Sequence, residues 1–431
     1  METIVALATP AGNSGVAVIR ISGDKSKEIL QKMIKEKLDF KPRFMYLKNI
    51  YCDNIIDNAL VVYFLAPNSF TGEDVAEIHS HGGYYLAQKI IEQCIEYGAK
   101  MATPGEFSKR AFINGKMSID QAEGIMDIIN AESEMQAKQA SSLMVGSLKN
   151  KIEEYQTALT DILAELEAKI DYPEYEYSQE ETDNLILRIE NLINDLKSLI
   201  SSSKNGLKIK NGVNIAIVGA PNVGKSSILN ALTSSQKAIV TNIAGTTRDI
   251  VEAEYEYGGI IFRLFDTAGI HESNDIVEKI GIDRAKQTLN DADLVLLVSD
   301  KDNINHIKTD KPHISVFNKM DLFMPADAEN YLCVSAQTNQ NIDVLKQEIF
   351  NISIGTKPLD NGLYLTNVRH IGCIKQALCQ LENAKKIFNF ASMDILSAEI
   401  KQAWLTLGEI SGTTSNEAII DKIFSKFCLG K

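Results

Sequence analysis

The chain has 431 residues, is 45% hydrophobic and 23% charged, and carries a formal net charge of −13. That length allows about two to four domains, and the acidic balance excludes a broad basic nucleic-acid surface. No apolar run approaches a membrane span, and six scattered cysteines without a CxxC pair exclude a zinc ribbon or a disulfide framework. The start, METIVALATP, has no basic n-region or long apolar core, so a cytoplasmic protein without a membrane is expected.

Charge is uneven along the chain. Residues 1–118 hold 14 Lys/Arg against 13 Asp/Glu, whereas residues 119–208 hold 8 against 18. An RNA partner would have to meet local basic spots or come with a second protein.

Residues 1–118 mix strand-like runs (Ile4 to Ala8, Val16 to Ile21, Leu60 to Phe64) with helical patterns (Ser26 to Lys35, Tyr84 to Tyr97), which predicts a small α+β domain. From 119 to 207 the pattern is helical. Ile152, Tyr155, Leu159, Ile162, Leu166 and Ile170 recur at three- and four-residue steps; Pro173 interrupts, and Leu185, Ile189, Leu192, Leu196 and Leu199 form a second stripe. Ser201-Ser202-Ser203-Lys204-Asn205-Gly206 reads as a linker. An α/β domain is expected over 208–357, and 358–431 is helical again, through Ile371 to Phe388 and Ile395 to Ile410. The fold class is therefore a P-loop α/β domain inserted into an α-helical domain, preceded by a small α+β domain. Neither helical half buries its stripe alone, so the two are expected to pack together as ordinary bundle core.

Within 208–357, Gly219-Ala220-Pro221-Asn222-Val223-Gly224-Lys225-Ser226 follows the apolar run Ile215 to Val218 and precedes an amphipathic stretch, Ile228, Leu229 and Leu232. Strand, glycine-rich loop and helix together make a P-loop. The backbone N–H groups of Asn222, Val223, Gly224, Lys225, Ser226 and Ser227 suit phosphates at a helix N-terminus. Lys225 would reach the β/γ-phosphates and Ser226 would ligate Mg²⁺.

Two further motifs select the nucleotide. Asp266-Thr267-Ala268-Gly269 ends another apolar run and fits the Mg²⁺ and γ-phosphate loop. Asn318-Lys319-Met320-Asp321 ends a strand, and the Asp321 carboxylate can accept from guanine N1 and N2, which adenine does not offer. Ser335-Ala336-Gln337 fits the last guanine-contacting loop. The four in order predict GTP.

Hydrolysis poses a problem, because the position after Gly269 is Ile270 and an apolar side chain cannot orient water. His271, Glu272, Asp275 and Glu278 follow as candidates, with a solvated side chain as the plain alternative for each. Upstream, Thr241-Asn242-Ile243-Ala244-Gly245-Thr246-Thr247-Arg248-Asp249 reads as switch I, with one of the adjacent threonines on Mg²⁺. Asn222, with nearby switch-I carbonyls, could hold a monovalent cation against the phosphates.

These motifs, together with Ala8-Thr9-Pro10, Arg20-Ile21-Ser22-Gly23, Ser69-Phe70-Thr71-Gly72-Glu73-Asp74-Val75, His81-Gly82-Gly83, Pro104-Gly105-Glu106-Phe107, Arg110-Ala111-Phe112, Asn114-Gly115-Lys116, Val277-Glu278-Lys279-Ile280-Gly281-Ile282 and the terminal Phe427-Cys428-Leu429-Gly430-Lys431, give a chain that resembles the MnmE (TrmE) family of tRNA-modification GTPases over nearly its full length. The resemblance implies that Glu278 is the general base acting through water. It implies Mg²⁺ on Ser226 and Thr247, and K⁺ on Asn222, Thr241, Ile243 and Thr246. It also implies a homodimer, a 5-formyl- or 5,10-methylene-tetrahydrofolate on Arg20, Glu77, Lys116 and Lys431, and a thiol, Cys428, near the modification site. By the same resemblance the protein works with tRNA and an FAD-containing MnmG-type partner, in a heterotetramer, on C5 of the wobble uridine (position 34). The sequence departs from the family pattern at Pro10 to Gly15, which lacks an Arg, and at His271, where Arg is common.

Two rival readings predict features absent from the sequence. A ribosome-assembly or RNA-binding regulatory GTPase would carry an RNA-binding module, yet the only Gly-x-x-Gly, Gly12 to Gly15, lies between strand-like runs. A dynamin-like scaffold would carry a basic amphipathic helix, and the helices here are acidic.

Overall fold

The computed structural model describes residues 2–53, 55–172, 178–234, 253–266, 289–305, 307–356, 359 and 362–431. They divide into two units, one of residues 1–126, 142–190 and 376–431, the other of 127–141 and 191–375.

Period-two burial builds the first unit's sheet. Strands β1 (Ile4–Leu7), β2 (Ser14–Ser22), β3 (Tyr46–Cys52), β4 (Ile55–Phe64), β5 (Val75–Gly82) and β6 (Lys100–Met101) lie in the order β3-β4-β5-β2-β1-β6. Ile19 and Ile21 of β2, Val61 of β4 and Ile78 of β5 face helices α1 (Ser26–Ile34) and α2 (Tyr84–Glu96), packing with Ile29, Leu30, Met33, Ile90 and Ile91. Alternation then puts Arg20, Glu77 and His79 on the other face, with Arg20 directly opposite Glu77 in the antiparallel β2–β5 register. Phe107, from helix α3 (Glu106–Ile113), packs with Ile4 and Ala6 of β1.

Helices α4 (Ile119–Ile129), α5 (Glu134–Met144) and α6 (Ser147–Asp171) follow, then the long α7 (Gln179–Asn211). On α6 the stripe Ile152, Tyr155, Leu159, Ile162 and Leu166 is buried, each such side chain contributing about 1.5–3 kcal/mol. Ile170 is 39% exposed, so the buried stripe stops one turn early. The expected partnership of the two helical halves appears within this unit. Helix α6 lies against Leu396, Ile400, Ala403 and Leu407 of a C-terminal helix spanning Met393–Ser411, and Gln156 donates to the Trp404 carbonyl at 3.1 Å.

The second unit holds strands β7 (Val213–Val218), β8 (Ala253–Tyr257), β9 (Ile260–Asp266), β10 (Leu294–Ser299), β11 (His313–Phe317) and β12 (Leu332–Cys333), in the order β12-β11-β10-β7-β9-β8. All pairs are parallel except β8–β9. Continuous apolar runs such as Leu294 to Val298, buried throughout, belong to such a sheet. Helices α8 (Lys225–Thr233) and α9 (Ile342–Ile354) supply Ile228, Leu232, Leu345 and Ile349 to its core. Chain order reverses at β7, whose neighbours are β10 and β9, which makes its carboxyl end the binding edge.

Three further helices complete the chain: α10 (Val368–Ile387), α11 (Met393–Ser411) and α12 (Glu417–Phe424). Asn416 caps α12 by accepting from Ile419 N, and Phe424 and Phe427 then pack beside Ala122 and Phe112. No helix among the described residues is long and apolar enough to cross a membrane.

One expectation needs correction. Ser201 to Gly206 is not a linker but part of α7, because Ser201 and Ser202 satisfy their hydroxyls on the Ser198 and Leu199 carbonyls one turn back. Gly206 lets the Leu365 backbone pass where a Cβ would collide with it. Residues 127–141 and 191–207, placed by sequence in the first helical part, cluster with the P-loop domain. Met135 enters its core, and Glu132 pairs at 2.8 Å with Arg263 of β9.

Candidate functional site

The phosphate loop leaves β7 and closes into α8. Asn222 (φ 65°) and Gly224 (φ 91°) both take the left-handed conformation that the tight turn needs. Gly224 is required twice over, since a Cβ there would also collide with Asn318 Nδ2. Gly224 is the N-cap of α8 and, having no side chain, leaves the first N–H groups of the helix for a ligand. Lys225 Nζ curls back onto the Gly219 and Ala220 carbonyls at 3.0 and 3.1 Å. Val223 is fully buried, whereas Ser226 and Ser227 are exposed at the start of the helix.

Three strand ends bring the sequence-predicted nucleotide loops to the same edge. Asn318, 2% exposed, donates from Nδ2 to the Val223 carbonyl at 2.9 Å and accepts from Ala336 N at 3.2 Å. Lys319 Nζ donates to the Asn222 carbonyl at 2.7 Å and to Asp300 Oδ2 at 2.6 Å. Met320 N bonds to Val334 O at 3.1 Å, and buried Ser335 accepts from Thr338 N, which closes the last loop. Asp321 is exposed at the rim. P-loop, Asn318 to Asp321 and Ser335-Ala336 thus form one connected cradle.

Asp266 ends β9 beside Ile217 of β7. Thr241, Asn242, Ile243, Ala244, Gly245, Thr246, Thr247, Thr267, Ala268, Gly269 and Glu278 lie outside the described residues. Among the described residues no cluster of His, Cys, Asp and Glu could hold a metal ion. Among the described residues, the Ser226 hydroxyl and the Asn222 amide offer a cation neutral oxygens, hard ligands of the kind Mg²⁺ and K⁺ take.

A second constellation forms in the first unit. Arg20 Nε meets Glu77 Oε1 at 2.8 Å, and Glu77 Oε2 meets His79 Nε2 at 3.1 Å. Arg20 also lies over the Phe70 ring, 5.0 Å from its centroid. The chain's tail arrives here. Gly430 (φ 89°) is pressed against the Leu7 carbonyl, where any Cβ would collide, and its own carbonyl accepts from Arg20 Nη1 at 3.5 Å. Burial, then the neighbouring Arg20 charge, hold the Lys431 ammonium below its ordinary range against the opposing pull of Cys428 and Glu77. Arg20, Glu77 and Lys431 therefore stand together. Lys116 lies on the adjoining loop, donating to the Pro67 carbonyl at 2.9 Å. Cys428 is exposed, not a buried thiol; Cys52, Cys94, Cys333 and Cys373 are buried, and Cys379 is also exposed.

Sequence reasoning missed two sets of residues. Behind Arg20, buried Arg110 bridges Glu73 (3.1 Å) and Glu106 (2.8 Å), while Ser22 donates to Glu73 at 2.6 Å. In the cradle it missed Asp300, 3% exposed, whose signal was a carboxylate following a strand whose first five residues are apolar.

A family model for the MnmE helical domain matches residues 119–428, and one for the GTP-binding protein TrmE N-terminus matches residues 3–116. Relatives named tRNA modification GTPase MnmE, from Francisella tularensis subsp. holarctica and Francisella philomiragia subsp. philomiragia, are each 38% identical over 449 residues, covering 100% of this chain and 99% of their own. The chain belongs to the MnmE (TrmE) family. The MnmE helical match begins before the P-loop domain and ends after it, in keeping with an insertion into helical sequence. The solved FeoB G domain from Methanococcus jannaschii is 28% identical, with 33% of this chain and 97% of that chain covered and a TM-score of 0.26. The P-loop fold is assigned from the strand order rather than from that score.

Proposed function

We propose that this MnmE-family chain is a GTP-hydrolysing enzyme of tRNA modification, acting with an FAD-containing partner on C5 of the wobble uridine. The observation that carries the nucleotide half is the cradle, in which Asn318 and Lys319 of the guanine loop hold consecutive P-loop carbonyls. The tRNA half rests on relatives of that name aligned from end to end.

On nucleotide binding, Lys225 exchanges the Gly219 and Ala220 carbonyls for β/γ-phosphate oxygens, and the open N-terminus of α8 receives the phosphates. Asp321 accepts from guanine N1 and N2. Glu278 orients the attacking water, a task closed to Ile270. Ser226 and Thr247 would hold Mg²⁺, and Asn222, Thr241, Ile243 and Thr246 would hold K⁺, which would supply positive charge where the phosphate oxygens gain negative charge. Pairing of two such domains across a homodimer drives the cycle.

The Arg20, Glu77, Lys431 and Lys116 set is the proposed folate site. Its cations suit the glutamate tail of a folate. The Glu77 carboxylate, engaged once on each oxygen, keeps lone pairs for a pterin N–H edge. The folate supplies the one-carbon unit, and Cys428 stands exposed two residues from Gly430.

The test is mass spectrometry of wobble uridines in cells lacking this protein. Loss of the C5 aminomethyl-type group is expected; unchanged tRNA, with GTP hydrolysis intact in the purified chain, would leave a GTPase with another purpose.

A further inference from the structure

Asp300 follows β10 at the binding edge, and each of its carboxylate oxygens has separate work. Oδ1 accepts from Asp302 N (3.2 Å), Asn303 N (3.0 Å) and Asn303 Nδ2 (3.3 Å), closing the turn after the strand. Oδ2 accepts from Lys319 Nζ at 2.6 Å. The same ammonium reaches the Asn222 carbonyl at 2.7 Å. The turn is itself fixed to the root of the P-loop, since Asn305 Nδ2 donates to Val218 O at 3.0 Å and Asn305 N donates to Ser299 Oγ at 2.9 Å.

The ammonium of Lys319 therefore lies between a carbonyl and a carboxylate and acts as a strut. Burial alone would push the Asp300 carboxyl up, but the Lys319 and Asn303 hydrogen bonds outweigh it and hold the group below the usual carboxylate range. At neutral pH it is a negative charge paired with the Lys319 ammonium. The strut joins two residues in the left-handed region, Asn222 (φ 65°) and Lys319 (φ 64°), a conformation lysine seldom adopts without support.

We propose that Asp300 is a positioning residue for the nucleotide site: through Lys319 it holds the Asn222 carbonyl and makes the guanine loop and the P-loop one rigid body. The inference rests on the guanine-nucleotide reading above. It adds that one buried carboxylate, touching neither base nor phosphate, sets both GDP affinity and the placing of Asn222 for a monovalent cation.

The experiment compares the full-length wild type with Asp300→Asn, Lys319→Gln, the double variant and Asn303→Ala. It measures affinity for a fluorescent GDP analogue and the K⁺ dependence of GTP hydrolysis. Asp300→Asn is expected to weaken GDP binding about tenfold, the worth of one charge-assisted hydrogen bond, and to shift half-activation to higher K⁺. The double variant should be no worse than Lys319→Gln, the non-additivity of a single linked unit. Asn303→Ala, which loosens only the turn, should leave the K⁺ curve in place. GDP affinity within about twofold of wild type for Asp300→Asn, or additive losses in the double variant, would overturn the proposal. If Asp300→Asn does not fold, Lys319→Gln tests the strut from its more exposed end, and GDP binding unchanged there is equally fatal. Equal hydrolysis by the wild type in K⁺ and Na⁺ would remove the cation reading alone, leaving GDP non-additivity to decide the role of Asp300.

Discussion

Lys319 and Asn222 meet through a single hydrogen bond, the ammonium donating to the main-chain carbonyl at 2.7 Å. One residue earlier, Asn318 does the same to Val223 at 2.9 Å. Consecutive residues of one loop thus hold consecutive carbonyls of another, linking the two loops at two points. A base-reading loop clamped in this way can report its occupancy to the phosphates directly.

Gly224→Ala should disable the cradle. The left-handed φ of 91° costs a non-glycine residue about 1–2 kcal/mol, and the new methyl collides with Asn318 Nδ2, the donor that holds Val223. Isothermal titration with GDP should show loss of binding, with the far-ultraviolet spectrum unchanged. Wild-type affinity would mean that the loop adopts another geometry when loaded.

Asp321→Asn should move selectivity from guanine towards xanthine nucleotides. Asparagine presents an N–H₂ where the carboxylate accepted two guanine protons, and xanthine offers a carbonyl at that edge. Competition between GTP and XTP is the readout. Retained preference for GTP would place base recognition elsewhere.

The cradle was legible in the sequence because its chemistry is local: each motif sits in one loop at the end of one apolar run. What escaped depends on tertiary neighbours. Strand β5 carries Glu77, His79 and His81 on alternate positions, so it shows no continuous apolar run, and its role emerges only from its pairing with β2. The Ser201 to Gly206 stretch has loop composition, yet the Leu365 backbone packed on Gly206 and hydroxyls bonded one turn back keep it helical. No motif marks Asp300, and its pairing with Lys319, 19 positions away, exists only in the fold. Lys431 is set with Arg20 by the family resemblance; what the sequence does not show is the contact itself, the Gly430 carbonyl accepting from Arg20 Nη1.

Glu77→Gln should change the acid end of the stability profile. Burial pushes the Glu77 carboxyl up, but His79 and Arg20 more than offset this and hold it below the usual range. A depressed carboxylate pKa contributes stability that is fully present above the unfolded value, about 4.3, and is lost as pH falls through the folded value. At neutral pH the glutamine variant should lose about 1.5–3 kcal/mol of local stability, the worth of a hydrogen bond to a charged group. Its deficit against wild type should shrink as pH falls through and below the ordinary glutamate range. Hydrogen exchange of β2 and β5 across that range gives the measurement, and a deficit independent of pH would show that Glu77 acts by shape and not by charge.

Glu278→Ala should abolish GTP turnover while leaving nucleotide affinity nearly intact. The proposed GDP cradle lies at the ends of β7, β10, β11 and β12, with hydrogen bonds linking Asn222, Val223, Asp300, Asn318 and Lys319. None of these involves Glu278, so its loss should fall on kcat and not on binding. In wild type, exchanging K⁺ for Na⁺ should slow hydrolysis markedly for a related reason. On the proposed reading, Na⁺ is smaller than K⁺ and would fit the same oxygen ligands less well, displacing the charge it brings to the phosphates. Single-turnover hydrolysis in each salt, with GDP affinity measured alongside, separates the two effects. Turnover persisting in Glu278→Ala would put the water-orienting group on His271, Glu272 or Asp275 instead.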